Sequence, residues 1–168
     1  MLPIIPLIAL AILAGYYFYT PAKLPAGTVI DKLVVYKAKR KMEAWSNGRL
    51  IKTYTIALGK NPVGHKEYEG DFRTPEGVYT INARNANSAY HKNLGVSYPN
   101  TADVAHAATL RKPPGGDIKI HGLRNGRSYI GKFHCWKDWT HGCIAVTNSE
   151  MDELFMAVKE NAVIDIRP

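Results

Sequence analysis

The stretch Thr140-His141-Gly142-Cys143 concentrates the reactive side chains of this sequence. A cysteine attacks a carbonyl as its thiolate, so it needs a base to take the proton and N–H donors to hold the oxyanion that forms. Gly142 permits a turn that a side chain would obstruct, letting successive backbone N–H groups point to one spot above the sulfur. The N–H groups of Gly142 and Cys143, with that of His141, are the candidate oxyanion hole. Upstream, His121-Gly122 closes the apolar run Ile118-Lys119-Ile120, and the His121 imidazole is the candidate base. The pair can act only if the two segments are neighbours, which the sequence leaves open. Cys135 lies eight residues before Cys143. In an oxidising compartment two such thiols can join and silence the nucleophile.

These residues also permit a reading of another class. His121, His134, Cys135, His141 and Cys143 offer enough nitrogen and sulfur for a tetrahedral zinc site in a structural or sensing module. No Cys-x-x-Cys or other established zinc spacing accompanies them. The acyl-transfer reading therefore requires neither metal nor cofactor, and zinc is the alternative.

The elements that must position this chemistry are mostly strands. Lys32–Tyr36 is β-branched and apolar, Met42–Ser46 reads as a second strand, and Asn47-Gly48 is the dipeptide that a type I′ hairpin turn favours. Arg49–Leu58 returns as a third strand. Lys37, Lys39, Arg40 and Lys41 fall at the first turn and read as a solvated loop tip. Val78–Ile81 is a strand between Gly- and Pro-rich loops. Residues 84–117 read as a long irregular excursion with a short helix near Asp103–Leu110, the candidate substrate-binding wall. Strands at Ile118–His121 and Cys143–Val146 follow. Thr147 and Glu150 form a capping box for a helix over 148–159, with Met151, Leu154, Phe155 and Val158 on its core face, and Val163–Ile166 is the last strand. The fold class is mainly β, a sandwich or partly closed barrel with one late α-helix.

His121-Gly122, seventeen intervening residues, then Thr140-His141-Gly142-Cys143 and the apolar Ile144 resemble the signature of the L,D-transpeptidase catalytic domain (YkuD-like) family. Asp71-Phe72-Arg73-Thr74-Pro75-Glu76-Gly77, Ala57-Leu58-Gly59 and Tyr98-Pro99-Asn100 match its upstream features, and the resemblance covers about 28–168. It implies that Cys143 attacks a peptidoglycan stem peptide, releasing D-alanine and leaving a thioester. An amine acceptor then takes the acyl group, for cross-linking or protein attachment; with water as acceptor the enzyme is an L,D-carboxypeptidase or hydrolase. It implies His121 as general base and acid, the Gly122 carbonyl as its orienter, and a site role for His141. Thr140, Tyr98 and Arg73 are the substrate-binding candidates. The family commonly carries Arg or Asn two residues after the cysteine, where this chain has Ala145.

A chain of 168 residues, 46% hydrophobic and 21% charged, fits one folded domain and excludes a disordered or low-complexity chain. The net charge of +8 calls for an anionic partner, and nucleic-acid modules are not represented. From Leu2 to Tyr19 there is no charge, and clustered tyrosines end the run. Residues 1–20 are therefore expected to form a transmembrane anchor in the cytoplasmic membrane, with a cleavable signal peptide as the alternative, 21–27 a linker, and 28–168 the catalytic domain. Lys23 and Lys32 follow the segment and no basic residue precedes it, which by the positive-inside rule alone would leave the domain in the cytoplasm. The stem-peptide chemistry puts it instead on the outer side, in the periplasm. The sequence does not give the oligomeric state.

Overall fold

The computed structural model describes residues 4–168 of the chain, and side chains from Ile8 onward. Eight strands form one sheet: β1 (Ile30–Tyr36), β2 (Lys41–Ser46), β3 (Arg49–Thr55), β4 (Gly77–Ser88), β5 (His91–Val96), β6 (Lys119–His121), β7 (Ile144–Ala145) and β8 (Val158–Arg167). Their order is β3-β2-β1-β8-β4-β5-β6-β7. The β1–β8 and β6–β7 pairs are parallel and the other pairs antiparallel. Ala57 and Gly59, just past β3, bridge to Ala145 and Thr140 at the β7 end. The two ends of the sheet thus meet, and of the two expected architectures the partly closed barrel is the one formed.

Local chemistry accounts for the ends of these elements. Asn47 and Gly48 both have positive φ, 47° and 77°, as a type I′ turn requires. Helix α3 (Asn148–Ala157) opens on Thr147, whose hydroxyl accepts from the Glu150 N–H while the Glu150 carboxylate accepts from the Thr147 N–H. It buries Met151, Leu154 and Ala157, then passes directly into β8 at Val158, so the helix is shorter and the last strand longer than their sequence patterns indicated. The core joins Leu33, Val35, Ile56, Leu58, Ile120 and Ile144 with the inner face of α3.

Two expectations need correction, and a third is without support. The excursion over 84–117 is not irregular: β4 runs on to Ser88, β5 returns, and α2 (Thr101–Thr109) is capped by Asn100 and Asp103. The basic turn is a solvated tip only at Lys39 and Lys41, which are exposed. Lys37 is 2% exposed, and its ammonium donates to Gly64 O, Thr74 O and Glu76, while Arg40 pairs with Asp138 at 2.7 Å. No helix among the described residues is long and apolar enough to cross a membrane, so the expected transmembrane helix gains no support here. Helix α1 (Ile4–Phe18) has 15 residues, about 22 Å of rise against a hydrocarbon core of about 30 Å. Residues 1–3 of the expected span lie outside the described residues. The end of α1 rests on a 3₁₀ segment, Ser128–Trp136, with Tyr17 stacked on Phe133 at 5.3 Å and its hydroxyl donating to Tyr129 O at 2.6 Å.

Candidate active site

The register of β6 and β7 brings the two reactive residues together. Ile120 pairs with Ile144 and His121 with Ala145, so Cys143 lies level with Lys119, one step before the paired residues. Side chains alternate along a strand, so buried Ile120 and Ile144 face the core while Lys119, His121 and Cys143 share the opposite face. That face floors a groove of about 430 Å³, lined by Cys143, His121, Trp139, Thr140 and His141 together with the β4–β5 hairpin.

His121 is held on every side. Its Nδ1 lies 2.7 Å from Gly122 O, a bond in which the ring nitrogen donates, leaving Nε2 as the acceptor. Tyr90 and Trp139 pack on the ring at 4.8 and 5.6 Å between centroids. At 6% exposure its imidazolium is poorly solvated, and burial pulls its pKa below the usual histidine value, partly offset by the Gly122 carbonyl. Burial likewise pushes the Cys143 thiol up, opposed by the N–H and the charge of Lys119. At neutral pH the groove thus holds a thiol and a neutral imidazole on one face, the resting state that general-base activation needs.

The loop carrying the thiol is shaped by Thr140. Its hydroxyl donates to Cys143 O at 2.7 Å and accepts from the Gly142 N–H at 3.1 Å. The Gly142 amide is therefore engaged within the loop, and the N–H groups of His141 and Cys143 are those without a partner among the described residues. Gly142 has φ of 129°, and a Cβ there would come within 2.7 Å of Arg73 O, so both conformation and space demand glycine. Upstream, Asp138 accepts from the Leu58 N–H at 2.9 Å and pairs with Arg40, tying the start of the loop to the strand on its other side. Ala145 is buried and exchanges backbone hydrogen bonds with Ala57 at 2.8 and 3.0 Å, so this position joins the two ends of the sheet.

Other candidates fall elsewhere. Tyr98 is buried in the core, its hydroxyl donating to Pro114 O, and it does not line the groove. The Arg73 guanidinium pairs with Glu67 and meets His65 O; it is the Arg73 carbonyl that packs against Gly142. His141 is exposed at the rim, with the Phe72 ring at 5.1 Å and Lys60 at 3.3 Å. Cys135 and Cys143 are free and contact different carbonyls, Thr55 O and Asp117 O. Among the described residues no three His, Cys, Asp or Glu side chains converge as a metal site, so the alternative zinc ligands do not assemble. Tyr90 and the buried Asn93 line the groove from within 84–117, the stretch expected to form the substrate-binding wall, whereas Trp139 was missed. The position of Trp139, directly before the reactive tetrapeptide, was the one signal available.

The model of the YkuD, L,D-transpeptidase catalytic domain, family matches residues 30–166. YafK of Escherichia coli (strain K12), assigned by name to the L,D-transpeptidases, is 28% identical over 130 residues, covering 74% of this chain and 45% of YafK. The chain thus spans less than half the length of the curated relatives it matches. Among solved structures, the helical cell shape determining protein Pgp2 of Campylobacter jejuni superposes with a TM-score of 0.63 at 23% identity, over 84% of this chain and 48% of Pgp2. Bd1075 of Bdellovibrio bacteriovorus gives a TM-score of 0.58 at 23% identity, over 86% and 50%. At these identities the two structures speak to the fold.

Proposed function

The chain belongs to the L,D-transpeptidase catalytic domain family, and on that premise we propose that it is a peptidoglycan L,D-transpeptidase with Cys143 as nucleophile and His121 as general base and acid. Cys143 Sγ attacks the carbonyl of the third stem residue as its proton passes to His121. The tetrahedral intermediate collapses to a thioester, and the departing D-alanine amine takes the proton back. An acceptor amine then loses a proton to His121, forms the new amide and restores the thiol, making a cross-link or attaching a protein.

The observation that carries this reading is the parallel β6–β7 register, with His121 and Cys143 on one face of one groove and the His121 tautomer set by Gly122 O. The unpartnered N–H groups of His141 and Cys143 suit the oxyanion. The positive charge of the chain suits an anionic polymer, and the apolar exposed face of α1 suits attachment to the cytoplasmic membrane with the catalytic domain outside. Incubation with defined muropeptides, followed by mass analysis, tests the reading. Dimers with release of D-alanine are expected; shortened monomers alone would make water the acceptor and the enzyme a carboxypeptidase or hydrolase.

A further inference from the structure

Lys37, Arg40, Lys52, Lys66, Arg73 and Lys92 are each paired with a carboxylate. Lys60, Arg124, Arg127 and Lys137 instead gather round one cleft of about 580 Å³ that no acidic residue lines, and among the described residues none of the four has a carboxylate partner. Lys60 reaches only His141 Nε2, at 3.3 Å, and the face of Phe72. Four like charges about one concavity focus a positive potential that an anion relieves.

This cleft adjoins the catalytic groove. Tyr90 and Trp139 line both cavities and stack on each other at 26°, and the His121 ring packs against both. Phe133 and Ile130 complete an apolar wall on the far side. The geometry points to this basic cleft as the binding site of the amine-bearing reactant, a peptide with free carboxylates that approaches His121 from the side of Tyr90 and Trp139 away from the acyl donor. This rests on the acyl-transfer reading of Cys143. His121 must protonate the amine that leaves and deprotonate the amine that attacks, and with Nδ1 engaged by Gly122 O both must reach Nε2. The released D-alanine and a stem acceptor both carry carboxylates. An anionic lipid headgroup would also satisfy the charges, but it has no need of a wall shared with the catalytic base.

The test uses the full chain with a stem tetrapeptide as donor and, as acceptor, a tripeptide ending in a diamino acid, its carboxylates either free or amidated. The wild-type chain is expected to favour the free acid by about tenfold in kcat/KM, with the preference fading in about 0.5 M salt. In the Arg124→Gln/Arg127→Gln variant, with its fold checked by circular dichroism, the two acceptors are expected to become equivalent. Persistence of the preference in the variant, or equal loss for both acceptors, would overturn the inference. So would a variant that changes only binding to vesicles of anionic phospholipid. If D-alanine is released and neither acceptor is consumed, the cleft assignment fails while the nucleophile stands. If D-alanine is not released and iodoacetamide leaves Cys143 of the wild-type chain unmodified, the acyl-transfer reading itself fails.

Discussion

Two neutral groups share the floor of the groove, and burial sets both of them. The His121 pKa lies below the ordinary histidine value, so the ring remains a free base through the usual histidine range, and the rate is lost as it protonates below that range. Cys143 lies above the ordinary thiol value, so spontaneous thiolate appears only in alkaline solution. Alkylation at Cys143, followed by mass spectrometry across pH, is therefore expected to show an acid limb below the usual imidazole range and a separate rise above the usual thiol range. A single titration of free-cysteine form, unchanged in His121→Ala, would contradict this. Cys135 has no comparable help: burial, with Glu150 and Asp138 nearby, pushes its thiol up to about 12. It is expected to stay unlabelled where Cys143 reacts.

At the scale of elements, the loops that cradle the site are tied down by side chains whose role their sequence context conceals. Lys37 closes three acceptors from the segment over 64–76, and its replacement by Met leaves Glu76 and two carbonyls unpaired. The expected cost is about 3 kcal/mol in urea unfolding; a loss below about 1 kcal/mol would return Lys37 to the surface role that its basic neighbours indicated. The Asn47-Gly48 hairpin and the Thr147–Glu150 capping box were legible because each is a local device whose residues lie within a few positions of one another. The continuation of β4 was not, because Asn82 to Asn87 is exposed on both faces and shows no alternation of buried and solvated positions. Tyr98 stood in a family-like loop, yet only the fold reveals that its ring turns inward against Tyr79. The family resemblance named His121 and Cys143 together, but their adjacency comes from the β6–β7 register, and the two residues flanking His121, Tyr90 and Trp139, arrive from separate loops.

Across the whole molecule, the sheet closes on itself through the same segments that line the groove, so the candidate site and the fold share their hydrogen bonds. Helix α1 stands outside that closure: among the described residues it places no side chain in the central core, and it touches the body through Tyr16 and Tyr17 on Phe133 and Trp136. Removing residues 1–20 is expected to shift Tm by only a few degrees and to abolish sedimentation with phospholipid vesicles. A collapse of Tm would make α1 part of the folding unit, and undiminished sedimentation would move the membrane contact elsewhere. The central claim, that Cys143 is the acylated atom's owner and His121 its base, is tested most directly by weighing the intact chain after exposure to a β-lactam of the carbapenem class. One adduct localised to Cys143 is expected, absent in Cys143→Ala and formed roughly 10²-fold or more slowly in His121→Ala. An adduct on Cys135, or equal acylation of the Cys143→Ala chain, would contradict the account.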